Sequence, residues 1–164
     1  MKTLYSIVCA TIFFFAAIFA QPVSAQGILN PADPIVVYNS ASPPATPAWG
    51  TISKWVKTNR LGWNTSLFKA YYYNGFAFRL KFPKTYNPTA VDGKKYPMIV
   101  FFHGLGERGT IYDNEYSLLH GGQQFNNKVE DGSFDGYVLV MQTQDGYHGV
   151  SDFSAIKGVI DYMI

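Results

Sequence analysis

The chain is short of cysteine, of charge and of metal-ligand patterns, and each shortage closes a class of function. Cys9 is the only cysteine in 164 residues, so neither a disulfide framework within the chain nor a thiolate metal site is available. Charged residues make up 15% of the sequence, 13 basic against 11 acidic. They form no basic stripe, which argues against nucleic acid as a partner. No repeated His, Cys, Asp or Glu spacing of the kind that holds a metal is present, and no cofactor is expected. Aromatics, in contrast, reach 17%, with 12 Tyr and 13 Phe. That content disfavours disorder and supplies rings for a core or for a cleft holding carbohydrate or aromatic groups.

Long apolar runs are scarce as well, and the longest is at the amino terminus. Lys2 is a one-charge leader, Leu4 to Ala20 an apolar stretch, and Val23-Ser24-Ala25 a small-residue cleavage triplet. This is the layout of a secretory signal peptide, with the mature chain starting at Gln26. The stretch is also about as long as a short membrane span, but Gln21, Pro22 and the triplet follow at once. Cleavage therefore leaves no stable anchor and predicts a secreted or periplasmic protein. It also removes Cys9 and Lys2, leaving 12 basic and 11 acidic residues.

From Gln26 to about Gly50 the chain carries Pro31, Pro34, Pro43, Pro44 and Pro47. Proline at that density breaks helices and suits an extended arm or linker. Thr51 to Phe68 is hard to assign, with Trp55, Val56, Leu61 and Trp63 as material for a short covering element. Asn64-Thr65-Ser66 matches the glycosylation sequon, which has meaning only in a eukaryotic secretory pathway. The expected organisation is a signal peptide over residues 1–25, a Pro-rich arm and extension over 26–66, and one domain over 67–164.

The domain opens on a hairpin. Ala70 to Tyr73 and Phe76 to Phe82 flank Asn74-Gly75, a pair suited to a type I′ turn in which both positions need φ > 0. Phe76, Phe78, Leu80 and Phe82 alternate with Ala77, Arg79 and Lys81, which predicts an antiparallel strand with one wet face. Met98 to Phe102 is then a continuous apolar run, read as a central strand covered on both faces. It ends in His103-Gly104-Leu105-Gly106-Glu107-Arg108-Gly109, a glycine loop whose N–H groups can approach a ligand. A second run, Tyr137 to Met141, predicts a parallel partner strand. Tyr116 to Lys128 is a weak helical candidate broken at Gly121-Gly122. Asp152 to Ile164 is a helix with Phe153, Ile156, Val159, Ile160 and Met163 along one stripe.

The run YPMIVFFHGLGERG, together with Leu118-Leu119-His120-Gly121, Val138-Leu139-Val140 and the helix from Asp152, resembles the α/β-hydrolases. The likeness is to their secreted esterase branch, related to polyhydroxybutyrate depolymerases, feruloyl esterases and phospholipase/carboxylesterases. It covers roughly Phe76 to Ile164. The resemblance implies an α/β fold in which the loop after the third strand gives one backbone N–H of the oxyanion hole. On this sequence that donor is Leu105, with His103, Gly104, Gly106, Glu107 and Arg108 shaping the loop. Glu107 and Arg108 are a candidate ion pair or active-site rim. Gln144, Tyr147 and His148, in the loop after the second run, are cleft-lining candidates, although a lone histidine in such a loop is more often only exposed.

No G-x-S-x-G, the family's nucleophile motif, occurs in the sequence. Gly149-Val150-Ser151-Asp152-Phe153 lacks the second glycine, and Ser151 reads as a helix N-cap. His120 is a base by residue type only, because in the family the base follows the nucleophile. Tyr112-Asp113-Asn114-Glu115 reads as an exposed loop and helix start. The expectation is the amino-terminal part of a secreted carboxylic-ester hydrolase, an incomplete α/β-hydrolase lacking the nucleophile strand onward and inactive as this chain. Its substrate would be an ester, polymeric or carbohydrate-linked. The alternative is a non-catalytic secreted carbohydrate-binding or inactive hydrolase-like module, with the tyrosines and Trp55 or Trp63 as stacking platforms.

Overall fold

The structure is a computed structural model and describes residues 29–90 and 92–163; the signal-peptide reading, including Cys9 and the cut before Gln26, lies outside them. Seven strands are present among the described residues: β1 (Val36–Val37), β2 (Ser53–Lys54), β3 (Val56–Lys57), β4 (Phe68–Tyr73), β5 (Phe76–Lys81), β6 (Met98–Phe101) and β7 (Tyr137–Met141). Two helices, α1 (Gly122–Glu130) and α2 (Val150–Met163), accompany them. Five strands form one mixed sheet in the order β2-β4-β5-β7-β6, and β1 pairs with β3 in a separate parallel ribbon.

The hairpin β4–β5 turns on Asn74 and Gly75, whose φ values of 47° and 91° are those the sequence required. Antiparallel pairing runs from Phe68↔Lys81 to Tyr73↔Phe76. β7 then lies between β5 and β6, antiparallel to the first and parallel to the second. Its side chains alternate between two cores. Leu139 and Met141 face α2 through Ala155, Ile156 and Val159, beside Tyr71, Phe78 and Leu80. Val138 and Val140 face the other way, toward Phe68, Leu118 and Val129 of α1. The result is three layers, with a helix on each face of the sheet.

The buried central strand is therefore β7, not β6. All of Met98–Phe101 is only half-buried, and Phe102 is 44% exposed. Among the described residues β6 has a neighbour on one side alone; a continuous apolar run reports burial on the faces of a sheet, not the number of strands beside it. The wet face expected for β5 is also absent, since Arg79 is fully buried and Lys81 is 5% exposed. Both are covered by the segment 114–118 and α1. Arg79 donates to the carbonyls of Phe68 and Thr65 and to Asn114 Oδ1, and Lys81 pairs with Glu130.

The segment 112–115, read as exposed, is part-exposed at Tyr112 and Asp113 and inside at its last two residues. Asn114 and Glu115 are fully buried in a short 3-10 turn, Asn114–Leu118. Glu115 accepts from Thr65 Oγ1, Lys57 Nζ and the N–H groups of Arg60 and Leu61. Burial alone would push its carboxyl up, but these bonds outweigh it and hold Glu115 below the usual carboxylate range. Helix α1 begins only after Gly121, which takes φ 92° and separates it from that turn.

The proline-rich arm is docked rather than free. Leu29 enters the core on the α2 face, and the buried Asp33 accepts from Tyr71 Oη at 2.7 Å and pairs with Lys54 at 2.6 Å. Tyr38 stacks on Tyr112, whose hydroxyl donates to the Pro44 carbonyl.

Candidate functional site

The loops that follow β6 and β7 leave the carboxyl ends of two parallel strands, where open α/β sheets place ligands. They are laced together. Gly109 N–H donates to Thr143 O at 3.1 Å, and Gln142 Nε2 donates to Glu107 O at 3.0 Å. His103, 4% exposed, bridges them through its ring. Thr143 N–H can only donate, so His103 Nε2 accepts it at 3.0 Å. The ring proton is then on Nδ1, donating to Gly104 O at 2.9 Å. His103 is thus an internal brace between the loops.

Residues Leu105–Glu107 form a 3-10 turn with Gly104 as its N-cap. The turn is closed by Glu107 N–H to Gly104 O at 3.0 Å. Glu107 is 4% exposed and its carboxylate points inward. One oxygen accepts from Gly104 N–H at 2.6 Å, and the other accepts from His120 N–H at 2.8 Å. The ion pair expected with Arg108 is not formed; among the described residues Glu107 pairs with His120, whose Nδ1 lies 3.1 Å from the same oxygen. Arg108 is exposed. Leu105, half exposed, and Gly106 occupy the first two positions of the turn, so their N–H groups have no acceptor within it. The turn can therefore offer two adjacent backbone donors.

None of Gly104, Gly106 and Gly109 takes positive φ, so the conformational freedom expected of them is not what the loop uses. Space is the constraint at Gly109, where a Cβ would lie 2.7 Å from Asp113 O. The glycine that does take positive φ is Gly146, in the other loop at φ 84°, and its absent Cβ would fall 2.5 Å from Leu105 Cδ1. Gln142, Thr143 and Gly146 were not singled out in the sequence. Their signal was position alone, directly after an apolar run.

Of the cleft candidates, Gln144 and Tyr147 are exposed, the latter at 69%. His148, the third cleft candidate, is largely buried, so the alternative of a merely exposed histidine does not hold. Its side chain is 11% exposed, its ring 4.8 Å from that of Phe102 and 5.1 Å from that of His103. Both ring nitrogens are buried and, among the described residues, find no hydrogen-bond partner. Asp152 Oδ2 approaches Nδ1 only to 3.9 Å. Burial, with His103 adding to it, holds this imidazole below its ordinary pKa, against the pull of Asp152 and Asp145.

Ser151 is not the N-cap. Helix α2 starts at Val150, so Ser151 is its second residue and exposed. Asp152 does the capping by accepting Gly149 N–H at 3.0 Å. The stripe of α2 holds for Ile156 and Val159, while Phe153 is 52% exposed and meets Phe102 at 5.7 Å. Trp55 is no stacking platform, being 5% exposed with its N–H on Ile111 O; Trp63 is half-buried against Phe68. His120 is 77% exposed by side chain and lies on Glu107, not beside a hydroxyl nucleophile.

Among the described residues no group of three His, Cys, Asp or Glu side chains is placed to hold a metal ion, and no helix is long and apolar enough to cross a membrane. Compared with family models, curated proteins and solved structures, the chain matches none.

Proposed function

We propose that this chain carries the oxyanion side of a secreted carboxylic-ester hydrolase that works through an acyl-serine intermediate. The observation that carries the reading is the turn after β6. Its first N–H groups are unclaimed within the turn, and its flanks are fixed by two buried polar side chains, His103 and Glu107. A loop with no ligand to orient has little need of two desolvated polar braces.

Leu105 N–H is the donor to the oxyanion that forms when a serine hydroxyl, activated by histidine, attacks the ester carbonyl. That serine, its base and its acid are not supplied by the residues seen here. Topology supports the assignment in a second way: among the described residues β6 has a free side, which is where the resemblance implies the nucleophile strand. The exposed Tyr147 stands at the same end of the sheet and suits an ester of polymeric or carbohydrate-linked material. The burial of Trp55 counts against the carbohydrate-binding alternative.

The test is to express the protein from its complete reading frame and assay p-nitrophenyl esters and methyl ferulate, with a fluorophosphonate probe for an activated serine. Hydrolysis that the probe blocks by labelling one serine supports the reading. An inert, unlabelled but folded protein overturns it. For localisation, amino-terminal sequencing of the exported protein is expected to begin at Gln26.

A further inference from the structure

We infer that His120 is a positioning residue for the Leu105 turn, acting through Glu107. The inference rests on the ester-hydrolase reading for its purpose, but its geometry stands apart from it. Three groups form a chain from solvent to the candidate donor. The His120 ring is exposed, with Nδ1 3.1 Å from Glu107 Oε1. Glu107 is buried, and its other oxygen holds Gly104 N–H at 2.6 Å. Gly104 is the N-cap of the turn whose first residue is Leu105.

The His120 backbone contributes a second bond, N–H to Oε1 at 2.8 Å. Glu107 Oε1 is therefore gripped by both the main chain and the ring of His120. A carboxylate pivots about its Cγ–Cδ bond, and fixing one oxygen fixes the other. With Oε2 fixed, the Gly104 amide plane is fixed, and the peptide carrying Leu105 N–H follows it directly in the chain. Glycine at 104 leaves that plane free to rotate unless something holds it. Gly104 takes extended values of φ −84° and ψ 173° that many residues adopt, so hydrogen bonds do the holding: its carbonyl accepts from Glu107 N–H at 3.0 Å and His103 Nδ1 at 2.9 Å, and its N–H side rests on the Glu107 carboxylate alone among the described residues.

Two further features fit a positioning role. The turn bearing His120 ends at Gly121, whose φ of 92° is the left-handed backbone that lets the chain double back. Replacing its hydrogen would also press on Phe101 of β6, at 3.2 Å from the ring. The His120 main chain is therefore anchored on the strand whose end it organises. The ring, by contrast, is 77% exposed and among the described residues makes no other polar or ring contact, so packing does not explain it.

The experiment uses the protein from its complete reading frame and compares His120→Ala, His120→Asn and the parent. Amide exchange is followed by NMR at Gly104, Leu105 and Gly106, with the melting temperature as a global control. Loss of the ring contact in His120→Ala is expected to speed Gly104 exchange about two- to fivefold, the range for an exposed charge-assisted pair. The Gly104 amide resonance should also move upfield as its bond to Glu107 lengthens. Exchange in β4, β5 and β7 and the melting temperature should be unchanged. His120→Asn, whose Nδ2 can take the place of Nδ1, is expected to restore the parent values.

In the ester assay the same His120→Ala change is expected to lower kcat with KM unaltered. Unchanged Gly104 exchange in His120→Ala, acceleration spread evenly over the sheet, or failure of His120→Asn to rescue would each overturn the inference. If the exchange pattern appears in a protein that hydrolyses no ester, the positioning stands and the enzymatic reading fails. If the protein hydrolyses esters while Gly104 is indifferent to His120, the positioning fails and the enzymatic reading stands.

Discussion

Removing the Glu107 carboxylate tests the loop's construction directly. In Glu107→Ala two backbone donors, Gly104 N–H and His120 N–H, lose bonds of 2.6 and 2.8 Å to a charged acceptor. Hydrogen bonds to charged groups contribute about 1.5 to 3 kcal/mol each. Gly104 and His120 are themselves exposed, so water can re-form part of each bond and the low end applies, giving about 3 kcal/mol. The exposed His120 ring adds no more than about 1 kcal/mol. Glu107→Gln retains one oxygen but turns an NH2 toward the other donor, so its cost is about half as large.

Urea unfolding of the protein from its complete reading frame, followed by tryptophan fluorescence, reads this as a lower midpoint with an unchanged slope. The order of stability is expected to be parent, then Glu107→Gln, then Glu107→Ala. A loss below about 0.5 kcal/mol in Glu107→Ala, a typical surface value, refutes the reasoning.

Three further outcomes follow. Burial pushes the Arg79 guanidinium down to about 9, Glu115 partly countering, so it stays charged at neutral pH. Arg79→Ala strands acceptors on Phe68, Thr65 and Asn114 and opens a cavity. It should cost about 3 to 5 kcal/mol in urea unfolding. His148, with two unpartnered buried nitrogens, should be replaceable by Leu with a gain of about 1 to 2 kcal/mol. Because its folded pKa is depressed, the unfolded chain takes up a proton first as pH falls below the ordinary histidine value of about 6.5. The parent should lose stability there, and His148→Leu should lose less on the same pH series; equal acid limbs would show that His148 contributes nothing. Lastly, residues 29–163 expressed alone should self-associate through the unpaired side of β6, which sedimentation would detect. A monodisperse, cooperatively melting monomer would contradict it.

The parts of the fold legible in the sequence were those set by local chemistry. Asn74-Gly75 specifies its turn whatever surrounds it, and Tyr137–Met141 is apolar throughout because β7 has a helix on each face. Illegible features depended on what lay across space. Arg79 and Lys81 read as a wet face because what meets them is itself polar, Asn114 of the 114–118 turn for Arg79 and Glu130 of α1 for Lys81. Glu115 looked exposed because its partners Lys57, Arg60 and Thr65 lie some fifty residues earlier. The glycine loop was visible as a candidate site, but its braces were not. That Glu107 turns inward to Gly104 rather than outward to Arg108 follows from the position of His120, thirteen residues on. Ser151 is not the cap because the helix begins at Val150, two residues before the Asp152 start that its apolar stripe suggests.

The most direct measurement of the central claim deletes one hydrogen-bond donor without disturbing the fold. Leu105 is the first residue of its turn, a position where proline is favoured because its N–H has no partner in the turn. Gly104 before it, at φ −84° and ψ 173°, already has the conformation that precedes proline. Leu105→Pro therefore removes the N–H and little else, and Leu105→Ala controls for the side chain. In the protein from its complete reading frame, kcat for p-nitrophenyl ester hydrolysis is expected to fall about 100- to 1,000-fold in Leu105→Pro. Leu105→Ala should stay near the parent, and both variants should melt within a few degrees of it. A folded Leu105→Pro protein with parental kcat would show that this N–H is not the oxyanion donor.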